Sequence, residues 1–465
     1  MRTLHCNVLR PDGSKLPVKI PIHTELVIDT DPTGPRYGLV MEADGRARLV
    51  VADSAPMGHG GTMKVQAQGG LEATVRIVTP IEENEEMGAR GGDSVIALQR
   101  SALPSPFPAE SGLLRIDRAQ FVTEDGRPWP LRGCSDFRVF ERWMKNRDLC
   151  MRVLDERQSM GFNCLRVFGL NAFNGWPNTF DFGPMFVGGL PAYVDGLSSF
   201  CSELATRGLR MQFTVFGGGA KVHMNNADAQ LTFWKACVTA LEANHWNAQL
   251  VELVNENLDI DASKFSKPQS SRLLFSHGST GGGTYPVEPV WDYADLHPDR
   301  AVDWVRKAVH NPMEDIVEHF RIPGTAGEPI GAGEAAIPGR RDNDPACFRQ
   351  MGAGSLLLHS GAYFHSDNGI QSEPFSPTQR ACAEAFIAGC AAMDMTYRAG
   401  QYTRSGLTDL PVAYDAQTVT RIYARLLGNR AAVVACQPTA NFRWVVNQPW
   451  RLVKQPCPEV IFVER

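Results

Sequence analysis

The chain has 465 residues, 43% hydrophobic and 21% charged, a globular balance at a length that calls for two or three domains or one large barrel with an appendage. Its formal net charge of -5, with no dense Lys/Arg run and no aromatic–basic ladder, excludes a general nucleic-acid binder. No stretch approaches about eighteen consecutive apolar residues, so no membrane span is expected. The 11 cysteines are scattered without any C-x-x-C spacing, which argues for reduced, buried thiols rather than a disulfide frame or a zinc site.

The N-terminal stretch "MRTLHCNVLRPDG" lacks the apolar core of a secretory signal, so the chain is expected in the cytoplasm at synthesis. "KLPVKIPIHTELVID", "RARLVVADS", "GGTMKVQAQGG" and "LEATVRIVTP" are short alternating segments punctuated by Gly, Pro and Asp. That pattern predicts an all-β module over residues 1–100. "SALPSPFPAESG" is rich in Pro and Ser and predicts a linker over 101–111.

From 112 to about 405 the texture becomes a strand-then-helix rhythm. "LRIDRAQFVTEDGRPW" is expected to form a hairpin closing a barrel floor, and "PLRGCSDF" is the first candidate barrel strand. "DLCMRVLDERQSMG" has helical period, "FNCLRVFGL" reads as a buried strand, and "VDGLSSFCSELATRG" as an amphipathic helix ending at a Gly cap. "LRMQFTVFGGG" is the third strand, "DAQLTFWKACVTALEANH" a helix, and "VELVNEN" the fourth strand with its tip. The fifth and sixth strands are read at "SRLLFSHG" and "PVWDYADLH", followed by the helix "DRAVDWVRKAVHNPMEDIVEHF". "EPIGAGEAAI" is read as the seventh strand and "SLLLHSGAYFHSDNG" as the eighth, after "DPACFRQMGAG". The helix "PTQRACAEAFIAGCAAM" ends the series. Eight strands with intervening helices suit an α/β fold of the (β/α)8 TIM-barrel type, which typically takes about 250 residues. A doubly wound sheet would favour a Gly-rich turn after the first strand, and "RGCSDFRVF" is not one. "RAAVVACQP", "NFRWVVNQ", "WRLVK" and "EVIFVER" predict a small C-terminal β module over 412–465.

On such a barrel the loops after the strands share one mouth, so residues at strand C-termini are the candidates for chemistry. Asn255 and Glu256 stand at the end of the fourth strand, and Glu334 ends "EPIGAGE". Two carboxylates at one mouth can divide glycosidic bond cleavage between them. One, held protonated, donates to the leaving oxygen; the other, ionised, attacks the sugar carbon or activates water. An amide beside the acid can hold the neighbouring sugar hydroxyl. Glu328 is a local rival for Glu334, but on this reading it lies at the start of the seventh strand, the wrong end of a barrel. Arg166, on an otherwise apolar strand, requires a carboxylate partner, because burying a lone guanidinium is costly.

"VELVNENLD" resembles the Asn–Glu strand end of glycoside hydrolase clan A, and "EPIGAGEAA" resembles that clan's later strand with its Glu nucleophile. "FVTEDGRPWPLRGCSDF" is similar to the start of family 5-like, cellulase-like barrels, and "GFNCLRVFG" to their second strand. The likeness covers roughly residues 112 to 400. It implies a retaining glycosidase acting on a β-linked glycan, with no metal and no other cofactor. Glu256 then resembles the acid/base, Glu334 the nucleophile, Asn255 the partner of the sugar hydroxyl, and Arg166 the cation beneath the nucleophile that keeps it ionised. His297 resembles the strand-six contact. Where the family commonly has a Trp floor, "GAYFHSDNG" offers Tyr363, Phe364 and His365 instead, and His223 falls several residues later than the family's strand-three histidine. Trp291, close to His297, is a candidate for stacking on sugar, as Trp176 and Trp246 are, with filling of the barrel periphery as the alternative.

The expected partner is an oligo- or polysaccharide, with no nucleic acid and no membrane; oligomeric state is not legible. Metal binding by His359, His365 and Asp367 has ambiguous spacing. "HGSTGGGTYP" lacks the Gly-Lys-Ser/Thr of a phosphate loop, and "GTAGEPIGAGE" has no helix or acidic residue in the places a dinucleotide fingerprint needs. The competing function is a non-catalytic carbohydrate-binding or phage virion-associated barrel, which suits the leading β module and the missing signal. Two Glu residues in catalytic positions speak against it.

Overall fold

A computed structural model describes backbone strands only within residues 1–111. From Gly112 onward it describes the chain apart from residues 118–119, 171–188, 218–223, 225, 244–245, 256–259, 270, 279–290, 297–323, 327–342, 359, 408, 415–418, 420, 437 and 439–441. Strand backbone alone is described at Ala172–Phe173, Phe180–Asp181, Leu296 and Gly324–Ala326. The chain divides into two compact units, Met1–Pro104 and Ser105–Arg465.

The first unit holds two four-stranded sheets. One is ordered Arg2–Thr3, Ala47–Val51, Arg36–Met41, Glu25–Asp29; the other Lys19–Ile20, Gly60–Ala67, Glu72–Val78, Arg100–Ser101.

The second unit is built on eight parallel strands: β1 Leu131–Ser135, β2 Cys164–Leu170, β3 Arg210–Phe216, β4 Leu250–Val254, β5 Leu274–Gly278, β6 Ala294–Leu296, β7 Gly324–Ala326 and β8 Gly361–Phe364. Apart from the β5–β6 step, each pairs in parallel with its neighbour in sequence, and β8 returns to β1 with Leu131 opposite Gly361. Between β5 and β6 the ring closes through the amides of Asp292 and Tyr293, both donating to the Phe275 carbonyl at 2.9 and 3.3 Å. Consecutive parallel pairing that comes back on itself makes this a (β/α)8 barrel.

Helices follow where the caps direct them. After β1 come α1 (Val139–Lys145) and α2 (Arg147–Met160); Asn146 caps α2 by accepting from the Leu149 amide, and Gly161 ends it at φ 98°. Then come α3 (Gly189–Thr206) after β2, α4 (Ala227–Glu242) after β3, α5 (Pro345–Leu358) after β7, and α6 (Pro377–Ala392) after β8. A capping box of Ser376 and Gln379 starts α6. The expected helix over 299–320 lies outside the described residues.

Two expected strands fall elsewhere. The seventh is Gly324–Ala326, upstream of "EPIGAGEAAI". Three small residues give almost no hydrophobic signal. "SLLL" is the last turn of α5, not the start of β8. A short buried apolar run carries no period that separates helix from strand.

The hairpin Leu114–Asp117 with Gln120–Thr123 forms as expected and plugs the floor. Leu114, Phe121 and Trp129 pack there with Leu131, Cys164, Leu250, Tyr293 and Tyr363. Gln249, just before β4, ties the hairpin to the barrel, accepting from the Leu114 amide at 2.6 Å and donating to its carbonyl at 2.7 Å.

The C-terminal sheet begins with β9 (Gln401–Arg404) and adds β10 (Arg421–Leu427), β11 (Arg430–Cys436), β12 (Arg451–Cys457) and β13 (Val460–Glu464), ordered β9-β10-β11-β13-β12. Tyr423, Val434 and Phe462 join the barrel's own core. Arg349 of α5 forms a two-point ion pair with Glu459 at 2.8 and 2.6 Å. Among the described residues no helix is long and apolar enough to cross a membrane.

Candidate active site at the barrel mouth

Strand β4 shows how the sequence builds the mouth. Val251 and Leu253 face the helices, while Glu252 alternates to the barrel interior, and all five strand residues are buried. The strand ends at Val254. Asn255 follows, half-buried, its amide bonded to the Phe216 carbonyl at 2.9 Å, so its side chain starts from a fixed backbone at the rim.

Arg166 of β2 is wholly buried and, among the described residues, reaches three groups. Its Nη2 donates to Glu252 Oε2 at 2.8 Å and to Asn255 Oδ1 at 2.8 Å, and its Nε lies 3.1 Å from Asp295 Oδ2 of β6. Thr214 of β3 donates to Glu252 Oε2 at 2.5 Å. Gln212, also of β3, donates to Asp295 Oδ2 at 2.6 Å and accepts from the Tyr363 hydroxyl at 2.6 Å. The barrel interior is therefore a polar layer joining β2, β3, β4, β6 and β8, between an apolar floor and the rim. A buried charge at this depth has to be paired, and here each carboxylate has a cation and a further donor.

Above this layer, Phe137, just past β1, stacks on Phe168 of β2 with ring centroids 3.9 Å apart. The Arg166 guanidinium carbon sits 5.4 and 5.2 Å from the two ring centres. His365, one residue past β8 and buried, lies 5.7 Å from Phe137. The wall between the first and eighth loops is braced. Arg157 of α2 grips Asp136 with Nε and Nη2, both at 3.1 Å, and donates to the Glu373 carbonyl at 2.8 Å. Burial by itself would lower the Arg157 guanidinium, but the Asp136 charge against it, with Glu156, raises it well above its usual range.

The residues expected at the site therefore separate into groups. Arg166 and Asn255 meet at 2.8 Å, and His365 stands at the rim. Tyr363 does not reach the mouth. It is fully buried, bonded to Gln212 and 3.7 Å from the Cys164 thiol, and its ring presses on Gly133, where a Cβ would fall 2.2 Å from Tyr363 Cδ1. It fills the barrel because the pleat turns that position inward, one layer below the rim. Trp291 likewise stays in the outer aromatic layer, stacked on His277 at 4.2 Å and packed on Trp234 and Phe275. The stacking role expected of it gives way to the peripheral one, since it packs between Trp234 of α4 and Phe275 of β5 in the layer between helices and strands. Trp246 sits under the Arg210 guanidinium, 4.8 Å away. Glu256, Glu334, His223 and His297 lie outside the described residues, as do His359 and Trp176.

Strand seven alters the choice between the two later carboxylates. Because β7 ends at Ala326, Glu328 comes two residues after a strand end, as Glu256 comes two residues after Val254. Chain geometry keeps a residue two steps on within about 7 Å of the strand tip, whereas eight steps allow roughly 27 Å. The reason for preferring Glu334, that Glu328 starts the strand, does not hold.

The sequence reading missed Glu252, Asp295, Gln212 and Thr214. A signal was present: a Glu in the middle of "LVELV" cannot stay buried alone, and a buried Arg166 calls for such a partner.

No family model matches the chain, and no curated protein matches it either. Among solved structures it is similar to a putative glycoside hydrolase from Bacteroides vulgatus (13% identity, 95% of this chain and 98% of the other, TM-score 0.49). It is similar also to a glycoside hydrolase family 5 mannosidase from Rhizomucor miehei (12%, 61% and 98%, TM-score 0.43). A third is a β-glucanase from Saccharophagus degradans, solved in complex with cellotetraose (13%, 62% and 97%, TM-score 0.43).

Proposed function

We propose that the protein is a retaining glycosidase acting on a β-linked glycan, with Glu256 as acid/base and Glu328, in place of Glu334, as nucleophile. The observation that supports this reading is the matched register of two strand ends: Val254 and Ala326 each precede a Glu by two residues, on the rim where Asn255 is held by Arg166. Glu256 protonates the departing sugar oxygen as Glu328 attacks the anomeric carbon. Glu256 then deprotonates the water that releases the glycosyl group. The Asn255 amide donates to the hydroxyl beside the reacting carbon, a bond that strengthens as the ring flattens.

Arg166 is engaged by Glu252, Asp295 and Asn255, so its part is to order the rim from beneath. Turnover of aryl β-glucosides, aryl β-mannosides and β-glucan by the wild type, Glu256→Gln, Glu328→Gln and Glu334→Gln tests the reading. Loss of turnover in the first two, with Glu334→Gln near wild type, supports it. Full activity of Glu328→Gln refutes the assignment of the nucleophile, and a wild type that binds but never cleaves returns the chain to a pure carbohydrate binder.

A further inference from the structure

Asn255 is useful to a ligand only if the right end of its amide faces outward. An amide turned by 180° exchanges an acceptor for a donor at almost no steric cost. Here the direction is set chemically. A guanidinium can only donate, so the Asn255 oxygen must face Arg166 Nη2 at 2.8 Å, and the two N–H bonds of Nδ2 are left on the side away from it.

Arg166 itself could swing, and what holds its plane is inside the barrel. Asp295 Oδ2 stands 3.1 Å from Nε as an ion-pair partner and Glu252 accepts from Nη2 at 2.8 Å, with all three residues at 0% exposure. Asp295 is in turn oriented by Gln212 at 2.6 Å, and Gln212 by the Tyr363 hydroxyl at 2.6 Å. Tyr363 cannot yield, since its ring lies against Gly133 and the floor cluster. The chain Tyr363, Gln212, Asp295, Arg166, Asn255 thus runs from the closed end of the barrel to its rim.

We propose that Asp295 is a positioning residue: from inside the barrel it fixes the plane of Arg166, and through it makes Asn255 a pure donor toward the ligand hydroxyl next to the reacting carbon. The inference rests on the glycosidase reading for its chemistry, though not for its geometry. It also sets specificity at that carbon. A neutral hydroxyl offers lone pairs to Nδ2, whereas an ammonium has none and would meet two N–H bonds above a guanidinium.

The test is a double-mutant cycle of Asp295→Asn and Asn255→Ala, measured on matched aryl β-glycosides with and without the 2-hydroxyl. Misplacing a contact by about 1 Å costs up to about 10²-fold, so Asp295→Asn should lose activity on that scale, in kcat more than in KM. The double variant should be no slower than Asn255→Ala alone, because one residue acts through the other. On the 2-deoxy substrate the Asp295→Asn loss should nearly vanish. Effects that multiply, or an equal loss on both substrates, overturn the proposal and leave Asp295 a structural residue. Gln212→Met, which frees Asp295 without removing a charge, runs through the same cycle should Asp295→Asn fold poorly.

The side-chain amide resonances of Asn255 read the relay without turnover. They move in Asp295→Asn if the proposal holds, and unmoved resonances overturn it. A wild type that cleaves none of the glycosides defeats the glycosidase reading, while those resonances still decide the relay.

Discussion

Replacing Arg166 by Met should remove the only cation described in the barrel's polar layer and leave two carboxylates without it. Glu252 and Asp295 are both at 0% exposure, 2.8 and 3.1 Å from the guanidinium. Breaking one buried pair by deleting a partner costs about 3–5 kcal/mol, mostly because the remaining charge is stranded. One Arg serves two acids here, so the loss should fall at the upper end, close to about 5 kcal/mol. That is a large part of the roughly 5–15 kcal/mol that holds a domain folded.

Urea unfolding followed by tryptophan fluorescence gives the number. Arg166→Lys keeps the charge but cannot span both acids and Asn255, and should lie between wild type and Arg166→Met. Replacing all three residues together (Arg166→Met, Glu252→Leu, Asp295→Leu) should recover part of the loss, since no charge is then stranded. A single variant costing under about 1 kcal/mol, the scale of an exposed pair, would refute the account of a dry, mutually dependent layer.

Three further outcomes are expected. Gly133→Ala should destabilise by about 1–3 kcal/mol through overpacking, because the new Cβ meets Tyr363 Cδ1 at 2.2 Å, and Tyr363→Leu in the same chain should recover part of it by urea titration. Of the ten described thiols, Cys457 should react first with an aromatic disulfide at pH 8. It is the one not fully buried, and burial pushes its thiol up only to about 11, against about 12 for Cys150, Cys164, Cys382 and Cys390. Glu141 has its carboxyl held below the ordinary 4.5: burial raises it, and the bonds from Arg138 and Lys145 more than reverse that. A depressed folded value means its contribution is complete above about pH 4.5 and lost as pH falls through the lower folded value, so Glu141→Gln should flatten the acid limb of the stability profile.

The barrel was legible where hydrophobic runs met firm stops. Strands one to five are bounded by Gly, Asn and turn residues, and Gly161 and Gly208, both at positive φ, end the helices where the sequence places them. Strand seven was illegible because Gly-Thr-Ala has neither bulk nor period, and placing it at "EPIGAGEAAI" supplied the reason for setting Glu328 aside in favour of Glu334. The polar layer was hidden for a different reason. In a parallel strand buried on both faces, an inward Glu252 looks the same as a solvated one; only its meeting with Arg166, two strands away, distinguishes them. Tyr363 shows the reverse error. Nearness to a strand's C-terminus suggested the mouth, whereas the pleat turns it inward, beneath the rim.

The most direct test is to trap the glycosyl enzyme. A 2-deoxy-2-fluoro β-glycoside with a good leaving group slows both steps and leaves the sugar on the nucleophile, and peptide mass spectrometry locates it. One added glycosyl mass, carried by Glu328, is the expected result. A label on Glu334, or hydrolysis with inverted product and no label, would contradict it.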